Sequence, residues 1–99
     1  MNIRFLTPAR QELDDAVIWY NQQSPDLGLE FLDELDKAVH RIAAYPQACE
    51  EIEPGLRRCL LNRFPYGLIY GIDTNVIVIV TVAHLHRQPR YWIERKETD

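Results

Sequence analysis

Apolar and polar positions alternate through residues 1–6, with Ile3 and Phe5 set against Asn2 and Arg4, the period of a short edge strand. The period then changes to that of a helix. Thr7-Pro8 makes a start signal, since threonine can cap orphan backbone N–H groups and proline suits the first turn. Ala9, Leu13, Ala16, Val17 and Tyr20 follow on one stripe. The polar run Asn21–Asp26 breaks this pattern, and Ser24-Pro25 repeats the start signal. A second helix is predicted with Phe31, Leu32, Leu35, Ala38, Val39 and Ile42 on its apolar stripe. Glu30, Asp33, Glu34, Asp36 and Lys37 occupy its polar face. Tyr45-Pro46 ends it, because a residue preceding proline is pushed out of helical geometry.

Gln47 to Gly55 reads as an acidic loop closed by Pro54-Gly55. Three strands are expected after it. The first, Leu56 to Arg63, runs into a turn at Phe64-Pro65-Tyr66; the second is Gly67 to Ile72; Asp73-Thr74-Asn75 turns the chain into the third, Val76 to Ala83. That last run is apolar except for Thr81, which predicts a central strand covered on much of both faces. The expected fold is α+β, ordered β-α-α-β-β-β. A helical hairpin packs on one face of a mainly antiparallel sheet, and the first strand joins that sheet after the chain has passed through the helices.

With 99 residues, one domain spanning residues 1–99 is expected, and 46% hydrophobic with 26% charged residues is ordinary for a folded chain. The longest apolar run falls far short of the roughly 20 residues needed to cross a bilayer, so no membrane role and a cytoplasmic location are expected. Cys49 and Cys59 lack CxxC spacing, which points to reduced structural thiols and to no metal centre. Charge changes the picture more. Residues 1–54 hold 11 acids and 4 bases, whereas residues 55–99 hold 4 acids and 7 bases, a local basic half on a chain of net charge −4.

The basic half carries the candidate chemistry. Strand parity puts Arg57 and Arg63 on one face; if the helices cover the Leu60 side, those arginines flank an open face. His84 and His86 share a face if the last strand continues, with Arg87 and Arg90 just beyond. Guanidiniums bind phosphate through a planar fork of donors, and an imidazole exchanges protons near neutral pH. Together these are the minimum for RNA cleavage: His84 or His86 for proton transfer, Arg57, Arg63 or Arg87 for charge, and Tyr91 and Trp92 to stack a base. Each residue also has a plainer reading. The arginines can pair with the acidic helices, the histidines can be satisfied structural groups, Trp19 and Trp92 can be packing, and Tyr20, Tyr66 and Tyr70 can pack with their hydroxyls at the surface.

Several motifs coincide. Ala9-x-x-Glu12-Leu13-x-x-Ala16, Phe31-x-x-Glu34-Leu35, Arg58 before Arg63-Phe64-Pro65-Tyr66, Ile69-Tyr70, and Ala83-His84-x-His86-Arg87-x-Pro89-x-x-Trp92 together resemble the RelE/ParE superfamily of toxins from type II toxin-antitoxin systems. The plasmid-stabilisation, ParE-like branch is the nearer likeness, and it extends from Ile3 to Trp92. The resemblance implies a growth-inhibiting toxin without cofactor, held inactive by a cognate antitoxin whose C-terminal part folds onto its sheet and helices. ParE-type members act on DNA gyrase without being nucleases; RelE-type members cut mRNA on the ribosome. No lysine lies in the acidic loop or the second strand, which departs from the RelE pattern. The leading expectation is therefore a toxin acting by binding, with Arg57, Arg63, Arg87, Arg90, Tyr91 and Trp92 toward target or phosphate. An exposed apolar rim around Trp92 and an unpaired sheet edge are expected to receive partners. The alternatives are a metal-independent endoribonuclease with His84, His86 and Arg87 as catalytic groups, and an inactive antitoxin-binding relic.

Overall fold

The computed structural model describes residues 2–86, 92 and 95. The N-terminal strand is β1 (Asn2–Phe5), followed by helix α1 (Thr7–Gln23) and helix α2 (Leu27–Ala44). Ala9, Leu13, Ala16 and Tyr20 are the buried residues of α1, the expected stripe. Both helices start away from the residues read as their start signals, α1 one residue earlier and α2 two residues later. Leu6 is the N-cap of α1 and Thr7 already belongs to the helix; α2 begins only after Asp26, which adopts a left-handed conformation (φ 66°). Between the helices the chain turns so tightly that Gly28 lies on α1. A Cβ there would stand 2.5 Å from the Val17 carbonyl oxygen, and the Gly28 N–H donates to Asn21 Oδ1 at 2.8 Å.

The chain then forms β2 (Glu50–Glu53), β3 (Leu56–Leu60), β4 (Tyr66–Asp73) and β5 (Val76–His84). The acidic segment read as loop thus contains a strand. Its acids pair with the arginines opposite, in register Glu50 with Arg58 and Glu51 with Arg57, and it forms one sheet edge. Sheet order is β1-β5-β4-β3-β2, antiparallel except where β1 runs parallel to β5. A parallel pair needs a crossover, and the helical hairpin is that crossover. The α+β class stands, with a four-stranded meander in place of three strands.

Register passes from Ile69 opposite Thr81 to Tyr70 opposite Ile79, so β5 holds one extra residue at this point. The bulge re-aims the strand's C-terminal half. Ile77, Ile79 and Val82 join the core beneath the helices, while Val80 and Ala83 pack with Leu6, Leu56, Ile69 and Trp92 on the opposite side. Under the helices, Tyr20, Phe31, Phe64 and Tyr66 stack or meet edge-to-face with centroids 5.0–6.2 Å apart. Each such pair contributes roughly 0.5–1.5 kcal/mol beyond its burial.

Several side chains depart from expectation here, among them Leu32, read on the apolar stripe of α2 but 40% exposed. Glu34, read on the solvent face of α2, is buried and meets Lys37 Nζ at 3.2 Å. Tyr70 is wholly buried, its hydroxyl donating to the Pro46 carbonyl at 2.6 Å rather than reaching solvent. Trp92 is only 8% exposed, so it supplies no open apolar rim and no platform for a base; it covers the sheet face away from the helices.

Candidate functional site

Parity on β3 resolves opposite to the expectation. Cys59 and Leu61 are buried beneath the helices, whereas Leu60 is 48% exposed, so the Arg57 side is the covered one. Arg57 Nη1 donates to the carbonyls of Cys49 (2.7 Å) and Gln47 (3.1 Å), tying the end of the α2–β2 connection to the sheet. Arg63 sits in the turn after β3 with φ 71°, and its guanidinium meets Glu30 of α2 at 2.8 Å. That carboxylate holds the Arg63 pKa above its ordinary value. Arg58 faces away from the helices and pairs with Glu50 at 3.1 Å. Each of these arginines has a partner within the chain, and they do not flank one open face. Arg87, Arg90 and Tyr91 lie outside the described residues.

His84 is placed elsewhere. It ends β5 opposite Tyr66, on the helix side of the sheet. Its ring meets the Tyr66 ring edge-on at 5.0 Å and lies 5.3 Å from His86. The His86 N–H donates to His84 Nδ1 at 3.1 Å, which requires the lone pair on Nδ1 and leaves a neutral ring's proton on Nε2. The two histidines are thus brought together, though by the turn at Leu85-His86 and not by a continuing strand, which ends at His84.

Around His84 opens a cleft of about 490 Å³, lined by Glu12, Asp15, Trp19 and Tyr20 of α1 together with Tyr66. Glu12, Asp15, Ala16 and Trp19 recur at helical spacing, so α1 offers them as one face toward the strand ends. Sequence reasoning did not assemble that face. Its signal is the run of acid and aromatic positions flanking the buried stripe.

Glu12 anchors the cleft floor. β1 ends at Phe5 and Leu6 N–H donates to Ile79 O at 3.0 Å; among the described residues no strand pairs with the later part of β5 on that side. Glu12 Oε1 takes over there, accepting from Val82 N–H (3.1 Å), Thr81 Oγ1 (2.8 Å) and Arg95 Nη1 (2.9 Å). Thr81, the single polar residue in the apolar run 76–83, has its hydroxyl bonded to this carboxylate. Trp19 stands at the rim, 53% exposed, with its ring edge-on to Tyr20 at 5.1 Å. Burial pushes the Tyr20 pKa up.

The cleft thus combines aromatic walls and an imidazole with the carboxylate of Asp15 and that of Glu12, the latter already paired with Arg95. Among the described residues no three His, Cys, Asp or Glu side chains gather in a metal-holding group, and no helix is long and apolar enough to cross a membrane.

Comparison with known proteins agrees with this architecture. Residues 3–89 match the family described as the ParE toxin of type II toxin-antitoxin system, parDE. A solved structure described as the chromosomal ParDE TA system from P. aeruginosa contains a similar chain, with a TM-score of 0.69 at 18% identity, covering 86% of this chain and 96% of that one. At this identity the likeness carries the fold alone. Comparison with curated proteins gives no significant match.

Proposed function

This chain belongs to the ParE toxin family of type II toxin-antitoxin systems, and we propose that a cognate antitoxin neutralises it and that, once free, it arrests growth by binding DNA gyrase. The observation that carries the reading is the apolar surface of the helical hairpin. Ile18 and Trp19 of α1 and Leu29 and Leu32 of α2 are all exposed, the last two in a shallow hollow edged by Asp33 and Asp36. Apolar exposure of this extent is a cost in water that a folded-on partner segment removes.

A specific observation favours a second reading, an mRNA endonuclease. His84 and His86 lie 5.3 Å apart beside Tyr66, close enough for one to position the other during proton transfer. Induced expression without antitoxin separates the two, with DNA supercoiling and total mRNA integrity followed in the same cells. Growth arrest with intact transcripts and gyrase-linked DNA damage is the expected result. Rapid mRNA cleavage that His84→Ala and His86→Ala abolish would overturn it in favour of the nuclease. Normal growth with folded protein that still binds its antitoxin would leave only an inactive antitoxin-binding relic.

A further inference from the structure

The chain has two cysteines, ten positions apart, and both pack with the core beneath the helices. The β2–β3 ladder pairs Glu51 with Arg57 and Glu50 with Arg58. Continued one residue beyond the N-terminal end of β2, the same register brings Cys49 across from Cys59. Opposed residues of an antiparallel pair have Cα atoms roughly 4.5–5.5 Å apart, inside the range a disulfide spans. Both thiols belong to the cluster beneath the helices, so both point to the same side of the sheet. They also sense each other: after burial, the neighbouring Cys49 thiol is the next cause holding the Cys59 pKa up, and Tyr70 feels both sulfurs.

Their exposures differ in a useful way. Cys59 is 4% exposed, whereas Cys49 is half-buried and reaches water. The backbone of Cys49 is held in place, its carbonyl accepting from Arg57 at 2.7 Å. Arg41 Nη2 lies 3.8 Å from Cys59 Sγ, where a guanidinium favours the thiolate as it forms.

We propose that Cys49 and Cys59 are a peroxide-responsive dithiol that closes reversibly into a cross-strand disulfide. Cys49 is the attacking thiol. Its sulfur takes one oxygen from hydrogen peroxide, the O–O bond breaks, and the products are a Cys49 sulfenic acid and one water. The Cys59 sulfur then attacks the sulfenic sulfur; an S–S bond forms, the S–O bond breaks, and the hydroxyl leaves as a second water with the Cys59 proton. Two thiols are oxidised by two electrons and one peroxide is reduced. A small-molecule dithiol reverses the change. In a compartment that keeps thiols reduced, such a bond forms only under oxidative load. The bond ties the residue that leads into β2, the edge strand, covalently to β3, and this inference is independent of the toxin reading.

The test uses the full chain, reduced and then treated with hydrogen peroxide. Expected are joint loss of both free thiols, a mass decrease of two hydrogens, a non-reduced peptide joining residues 49 and 59, reversal by dithiothreitol, and a Tm raised on the order of 10 °C. Cys49→Ser should leave Cys59 unreactive in the folded protein. Cys59→Ser should trap Cys49 as a dimedone-reactive sulfenic acid. Oxidation of Cys49 alone to a sulfinic acid in the unaltered chain, or a disulfide formed only between two molecules, would overturn the proposal. Because Cys49→Ser alters a half-exposed site, its result stands even if Cys59→Ser fails to fold.

Discussion

A buried hydroxyl must find an acceptor, and Tyr70 finds the Pro46 carbonyl at 2.6 Å. Tyr70→Phe keeps the ring but leaves that carbonyl without its donor, so a loss of about 1–2 kcal/mol is expected, read as a lower urea midpoint at unchanged slope. The same surroundings set a pH limit. Burial, the first cause, and the nearby thiols raise the Tyr70 pKa above its ordinary 10.0; burial and Cys49 raise that of Cys59 above 9.0. Both groups therefore keep their protons in the folded chain at pH values where the unfolded chain releases them. The stability they contribute is complete below about pH 9 and falls as pH climbs through 10 and beyond. Urea midpoints measured across this interval should decline, and the decline should flatten in a Cys59→Ala/Tyr70→Phe double variant. A residue-scale reading of sequence could not reach this, because Tyr70 in Ile69-Tyr70-Gly71 looks the same whether its hydroxyl meets water or a carbonyl from the far end of α2.

At the scale of elements, the helices and the apolar strand were legible because a long periodic stripe admits one folding partner. Ala9, Leu13, Ala16 and Tyr20 appear in the structure on the side the pattern assigns. The edge strand β2 was not legible, since Glu50, Glu51 and Glu53 face largely solvent and carry no alternation; charge on an edge protects it from pairing with another chain and hides it from pattern reading. The arginine face failed for a related reason. Both faces of β3 are used, Leu56 packing on the side of Trp92 and Cys59 beneath the helices, so parity divides the side chains without saying which side the hairpin covers. The α1–α2 turn gives a prediction with a sign that propensity alone gets wrong. Gly→Ala inside a helix normally stabilises by about 1 kcal/mol. At Gly28 the added Cβ would enter the space of the Val17 carbonyl and Asn21 Oδ1, at 2.5 and 2.6 Å, and would strain the Gly28–Asn21 bond that fastens the hairpin. Gly28→Ala should therefore destabilise by about 1–3 kcal/mol in urea unfolding.

For the whole molecule, the candidate site exists only where distant parts of the chain meet. Glu12 from α1 satisfies Thr81 and Val82 of β5 and Arg95 near the C-terminus, positions separated by 69 to 83 residues in sequence. Glu12→Ala should cost about 2–4 kcal/mol, because the Val82 N–H and the Thr81 hydroxyl lose a charged acceptor in a part-buried place; thermal unfolding checks it. Trp19 belongs to the same cleft but stands outside this bond network. Its substitution isolates partner binding from folding. Trp19→Ala should lower the unfolding free energy by only about 1 kcal/mol, since the residue is 53% exposed and the edge contact with Tyr20 is the aromatic pair it loses. If an antitoxin segment covers the exposed hairpin and seats on the cleft rim, the same change should weaken the complex by about 30-fold or more in calorimetric titration, the loss typical of a buried aromatic anchor. Equal affinity of the parent and variant for the antitoxin would place the interface elsewhere on the molecule, and equal loss of affinity and stability would make Trp19 part of the fold.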